Sequence, residues 1–179
     1  MFLFMFSLLA WSAQLAGVTL PNTSELGGQT LKLNGIGLRE KFWIDIYVAG
    51  LYLPNYERDA STIITQDTPK KLALEFIYSS VPKEKMQATL EENLKDNPQI
   101  GPQARQQMRN CYGWFQNFTK GDTFVFSYIP NQGTSLYING QKKGTIPGKE
   151  FMEAVFTIYL GPKPADKTLR KALLKGAQP

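Results

Sequence analysis

The stretch KLNGIGLREKFWIDIYVAGLYLP, residues 32–54, sets Arg39, Asp45 and Tyr47 among large apolar side chains. An arginine in such company stays charged and offers several N–H donors in a rigid fork. It can stabilise negative charge developing on an oxygen, or grip a carboxylate in a bidentate pair. Residue types alone leave the uses open. The group is a catalyst, a ligand anchor, or structural, with Arg39 paired to Asp45 or a helix carboxylate and Asp45 facing solvent.

What the chain lacks narrows the chemistry further. It contains no histidine and a single cysteine. Ser-His-Asp triads, Cys-His pairs and His-ligated zinc are excluded, as are internal disulfides and CxxC sites. Any catalysis must rest on Arg, Lys, Tyr, Asp, Glu or backbone groups, and no cofactor is expected. The formal charge of +5 is spread along the 179 residues, without the clustered basic face that nucleic-acid binding needs. With 42% hydrophobic and 12% aromatic residues, the composition suits one domain with a substantial core.

The opening MFLFMFSLLAWSAQLAGVTLP reads as an export signal over residues 1–12, with Ala10-Trp11-Ser12 as a small-x-small cleavage site and a mature start near Ala13. No Lys or Arg precedes its apolar core, and a buried N-terminal helix is the other reading. The apolar run is short for a membrane span. The expectation is a periplasmic or secreted chain whose residues 13–179 form one domain with no transmembrane segment. The Asn-x-Ser/Thr triplets at Asn22 and Asn117 are taken as chance.

The elements that must position Arg39 and Tyr47 follow from periodicity and turn chemistry. Residues 30–53 read as strands, with Gly35 and Gly37 as turn or bulge positions. KLALEFIYSS (71–80) alternates like another strand. Pro82 opens a helix, KEKMQATLEENLKD, closed by Asn97-Pro98. A second helix is read from Pro102 to Phe118, because Ala104, Met108, Cys111, Phe115 and Phe118 recur on one face. Cys111 in that stripe reads as a small core residue. Three short strands follow, turned by Pro130–Gly133 and Asn139-Gly140. Gly148 precedes a helix, KEFMEAVFTIYLG, and Asp166 caps a last one, KTLRKALLKG. The order gives an α+β fold on a mainly antiparallel sheet. Phe42, Trp43, Tyr52 and Tyr128 read as core or sheet-face packing, and Lys70-Lys71 and Lys142-Lys143 as solvated. The basic amphipathic LRKALLKG reads as packing on the domain in preference to a membrane surface.

Taken together, LNGIGLREKFWIDIYVAGLYLP and FVFSYIPNQGTSLYINGQKKGTIPGKEFMEAVFTIYLGPKPAD resemble the bacterial chalcone isomerase-like family. The likeness rests on G-x-R followed by YVAGLYL, on the G-T…I-N-G…G-T-I hairpin and on the LGPKP-x-D ending, in that order. It implies an open-faced β-sandwich: a large antiparallel sheet, helices packed on one side, and a ligand cleft between. In plant enzymes of the superfamily that cleft closes a chalcone to a flavanone by attack of a phenolate on an enone. Plastid relatives bind fatty acids and are not isomerases.

The resemblance also implies a site. Arg39 corresponds to the family arginine. Tyr47 stands where the isomerases carry a substrate-orienting Thr, as in the fatty-acid-binding relatives. Met86 and Thr89 fall on the isomerase Tyr and Lys, Asn93 matches their Asn, and Ile158 and Tyr159 fall on a Thr-Met pair. With most catalytic types replaced, the implied function is an amphiphile binder, such as of a fatty acid, in a cleft anchored by Arg39. An isomerase of enones using Arg39 as electrophile, and an envelope module that holds a protein partner, are the other expectations. Convergence carries a condition. On one straight strand, Arg39 and Tyr47 would lie roughly 26 Å apart at about 3.3 Å per residue, so the chain must turn near Glu40-Lys41 or bulge.

Overall fold

The computed structural model describes residues 12–176; residues 1–11, where nearly all of the expected export signal falls, lie outside them. Seven strands form one antiparallel meander in chain order: β3 (Thr23–Leu26), β4 (Gln29–Lys41), β5 (Ile44–Leu53), β6 (Lys70–Phe76), β7 (Thr123–Ile129), β8 (Gly133–Ile138) and β9 (Gln141–Ile146). Before them, β1 (Ser12–Leu15) and β2 (Val18–Pro21) make a separate hairpin. The five helices are α1 (Ala60–Thr65), α2 (Lys83–Asp96), α3 (Pro102–Cys111), α4 (Lys149–Leu160) and α5 (Lys167–Leu173). The sheet curls around them as a half-barrel, giving the α+β, open-faced arrangement expected from the sequence. Among the described residues no helix is long and apolar enough to cross a membrane.

Alternation shows which face looks inward. In β6, Lys70, Leu72, Leu74 and Phe76 are buried and the residues between them half-buried, which is the period-two pattern of a strand with one core face. These side chains join Phe124, Phe126 and Leu136 of the neighbouring strands and apolar residues from all five helices in one core. Helix α4 is buried on nearly every side, from Phe151 to Leu160, because sheet and helices surround it. β5 shows no alternation. Tyr47, Ala49 and Leu51 face the helices, while Val48 and Tyr52 face a second apolar cluster with Val18 and Leu20 of the β1–β2 hairpin.

The two glycines read as turn or bulge positions both lie in paired strand and both make room for α5, where a Cβ on Gly35 would run into the backbone oxygen of Ala172. A bulge at Asn34 shifts the register between Leu33 and Gly35, and the Asn34 side chain ties it down. Its Nδ2 donates to Glu57 O and Leu173 O, both at 2.9 Å, and its Oδ1 accepts from Glu57 N at 2.8 Å. Gly37 lies within the paired strand. Helix α5 rests directly on it, and a Cβ there would come within 2.8 Å of both Ala172 Cβ and Leu169 Cδ1. Leu169 and Leu173 seat α5 on the domain, as expected for LRKALLKG.

Four expectations need correction. Helix α3 ends at Cys111, followed by a 3₁₀ turn over Tyr112–Trp114, and Phe115 is extended. Phe115 and Phe118 nevertheless reach the same core from the irregular segment, so the apolar stripe outlasts the helix that suggested it. Phe42 and Trp43 are 78% and 90% exposed, not core, whereas Tyr52 and Tyr128 are buried. Lys70 is fully buried instead of solvated: its Nζ donates to Ile63 O and, at 2.6 Å, to Gln66 O, capping carbonyls at the end of α1. Lys71 is half-buried, with Nζ donating to Ser24 Oγ at 2.9 Å. Cys111 is buried as expected, and burial pushes its thiol up to about 12.

Burial, with Lys149 adding repulsion, lowers the Lys70 ammonium to about 8. A neutral amine still offers two hydrogens, enough for both carbonyls. Between about pH 8 and the ordinary lysine range the unfolded chain holds a proton that the folded chain has released, so stability rises with pH there. The stability of the wild type relative to Lys70→Met should therefore grow from about pH 8 to pH 9.5, read from chemical-denaturation midpoints. Gly37→Ala should cost about 1–3 kcal/mol by the same measurement, since α5 must move off the strand.

Candidate functional site

β4 and β5 form a hairpin in which Arg39 and Tyr47 are direct register partners. The chain does turn, two residues later than expected, through Phe42 and Trp43 between Lys41 and Ile44. Both turn residues have positive φ, 52° and 62°, a conformation favoured by Asn and Gly and costing a bulky residue about 1–2 kcal/mol. It also bulges. Between the Arg39–Tyr47 and Glu40–Asp45 pairs, Ile46 stands unpaired in the hairpin, and its carbonyl accepts from Ile77 N and Tyr78 N at 3.0 and 3.2 Å. The bulge breaks the alternation, so that Ile46 and Tyr47, neighbours in sequence, reach the same side.

That side is a cavity of about 400 Å³ between the hairpin, α2 and α4. All seven residues singled out from the sequence line it: Arg39, Tyr47, Met86, Thr89, Asn93, Ile158 and Tyr159. Helical spacing explains the α2 trio, since residues three and four apart share a face. Asp45 is exposed beside Glu40 and takes no part in the lining.

Arg39 is not a free cation. Its Nη1 donates to Ala165 O at 2.7 Å and to Asp166 Oδ2 at 2.8 Å, with both side chains of the pair largely buried, 13% and 14% exposed. Asp166 Oδ1 accepts from Leu169 N at 2.7 Å, which is the N-cap of α5. The helix carboxylate of the structural reading is therefore Asp166, and Asp45 is not Arg39's partner. The two Nη1 hydrogens are used, while Nε and Nη2 have no hydrogen-bond partner among the described residues. One nitrogen ties Arg39 to the start of α5, and the residue as a whole lines the cavity.

Two phenols sit beside the guanidinium. Burial raises the Tyr47 hydroxyl to about 12, with Arg39 and Tyr159 pulling it partly back. Tyr159 is raised well above the ordinary phenol range by burial and by Tyr47 next to it. Both are neutral donors at physiological pH. The remaining polar residues are quieter: Thr89 Oγ1 donates to Lys85 O at 2.9 Å, and Asn93 Nδ2 donates to Thr89 O at 2.7 Å. Met86, Leu90, Ile46 and Ile158 supply apolar wall. The arrangement sets a guanidinium already paired with Asp166 beside two protonated hydroxyls that interact with each other, in an otherwise apolar hollow; such a set could hold an oxyanion or carboxylate. Among the described residues no group of acidic, Cys or His side chains could hold a metal ion.

Sequence reasoning missed Ala165 and Asp166 as Arg39's partners, and Lys41, Phe42, Ile44 and Tyr78 as lining. Asp166 was legible as a cap, but nothing in its neighbours signalled what its second oxygen binds. Lys41, Phe42 and Ile44 belong to or flank a turn without turn residues, where register could not be read, and Tyr78 lies in the irregular segment after β6.

Comparison with known proteins bears on the fold and its lineage. No curated protein has a significant match to the chain. Among solved structures it is similar to a fatty-acid binding protein of Arabidopsis thaliana, at 19% identity and a TM-score of 0.69, with 92% of this chain and 96% of that one covered. At that identity the likeness establishes the fold. The model of the chalcone isomerase-like family matches residues 12–175. A match over nearly the whole described chain, on the residues that also build the cavity, settles the lineage: this chain belongs to the chalcone isomerase-like family.

Proposed function

We propose that the protein is a non-catalytic binder of a fatty acid or similar amphiphile. The carrying observation is the cavity, in which Arg39 and the protonated Tyr47 and Tyr159 meet an apolar wall of Ile46, Met86, Leu90 and Ile158. An anionic head pairs with the first group and an acyl chain lies along the second. The volume is in the range of about 300–1,000 Å³ usual for small-molecule sites. The fatty-acid binding of the Arabidopsis protein of like fold supports the same reading. Asp166 already balances Arg39's charge, so hydrogen-bond geometry governs the affinity for the head more than net attraction does.

The same three donors would also suit an enolate oxygen, which keeps an isomerase acting on an enone as the second reading. Met86 and Thr89, apolar and backbone-bonded, stand where that chemistry would want ionisable groups. The reading also places the chain in an exported compartment with a mature start near Ala13, which mass spectrometry of protein from the native cell's envelope or medium would test.

Calorimetry with a fatty acid series should show saturable binding at one site. Tyr47→Phe/Tyr159→Phe, which leaves the Arg39–Asp166 pair intact, should weaken it about tenfold, and Arg39→Ala about 10–100-fold. A folded wild type that binds no amphiphile would refute the reading. Arg39-dependent turnover of a chalcone would replace it with the isomerase.

A further inference from the structure

The β4–β5 turn places Phe42 and Trp43 in left-handed backbone and exposes them almost completely. Natural two-residue hairpin turns relieve that conformation with Asn or Gly. Here two bulky aromatics occupy it, and neither gains burial inside the molecule in return. Their position is also particular. Lys41, Phe42, Ile44 and Tyr78 line the mouth of the cavity, and Ile44 and Tyr78 are 40% and 37% exposed. Of the large apolar side chains exposed among the described residues, all but Tyr56 thus lie at this turn or line the hollow that includes Arg39.

We infer that this tip docks on a lipid bilayer, with Trp43 and Phe42 inserted at the interface and the cavity mouth held against the acyl layer. Amphipathic aromatic rings favour the headgroup boundary. The two side chains would bury about 300–500 Å² of this chain's surface, short of the roughly 800 Å² per partner of a standard protein interface, so a second copy or a protein partner is the poorer occupant. The charges at the hairpin end and the cavity lining beside it balance, with Lys41 and Lys85 against Glu40 and Asp45. Docking is accordingly apolar and little affected by salt. The proposal rests on the amphiphile-binding reading only for what passes through the mouth, not for the contact itself.

The experiment is co-sedimentation of the full chain with phosphatidylcholine vesicles at low and high salt. Trp43→Gly is the informative variant: glycine suits the positive φ, so the fold is retained and Tm rises, while the partition coefficient falls by at least about tenfold. Trp43→Phe should restore most of the binding. Equal partitioning of wild type and Trp43→Gly would overturn the proposal and assign vesicle binding to a part common to both, such as the apolar residues 2–6. Steep loss with salt would overturn it in favour of an electrostatic contact. A Trp43-dependent dimer without Trp43-dependent vesicle binding would put a second copy in the bilayer's place. Trp43 does not line the cavity, so fatty acid delivered in solution should bind both chains alike. Failure of wild type to bind it would remove the amphiphile reading and leave the vesicle result standing.

Discussion

A two-residue turn and one bulge decide whether this protein has a site at all. Arg39 and Tyr47 lie on one chain segment and would stand far apart if it ran straight. Folding it back through Phe42-Trp43 makes them cross-strand partners, and the bulge at Ile46 rotates Tyr47 toward the helices. The rest of the site assembles on that pairing. Helix α4 brings Tyr159 against Tyr47, and α2 lays Met86, Thr89 and Asn93 along the cavity wall. Asp166 clamps Arg39 from the start of α5.

The clamp joins structure and site through one side chain. A half-buried guanidinium needs partners for its charge, and a buried pair broken on one side leaves the other charge exposed to a low dielectric. Asp166 meets that need with one oxygen and stops the frayed end of α5 with the other. Arg39 is thereby immobilised before any ligand arrives. Preorganisation of this kind lowers the ordering cost of binding. The structural role of Arg39 occupies Nη1 and leaves Nε and Nη2 without a hydrogen-bond partner among the described residues, so the proposed anchoring role is compatible with it.

Features with a local cause were readable from the sequence. Asn139-Gly140 turns β8 into β9 with both residues at positive φ, as its composition demands, and Asp166 caps α5 as its spacing predicts. The strand alternation of β6, the helical face of α2 and the place of α4 after Gly148 likewise came through. What failed to come through depends on distant neighbours. Lys70 looks solvated until α1, a six-residue helix with little signal of its own, lays its last carbonyls over it. Phe42 and Trp43 look like core because aromatic residues usually are; only the turn they occupy exposes them. The short strands before β4, each four residues long, fall below the length at which periodicity speaks.

The β1–β2 hairpin covers only part of the sheet. It packs on the outer face of β4 and β5 through Val18 and Leu20, and Leu20 approaches so closely that Gly50 has no room for a side chain. Toward β9 the outer face has no such cover among the described residues, and Val125, Ser135 and Tyr137 are only half-buried. Local opening is cheapest where few apolar contacts must break. Backbone amides therefore exchange with solvent fastest from the β9 edge inward and slowest along β5. The segment carrying Arg39 and Tyr47 is rooted in the region that breathes least, and the sheet can fray at its far side without loosening the grip on whatever the cavity holds.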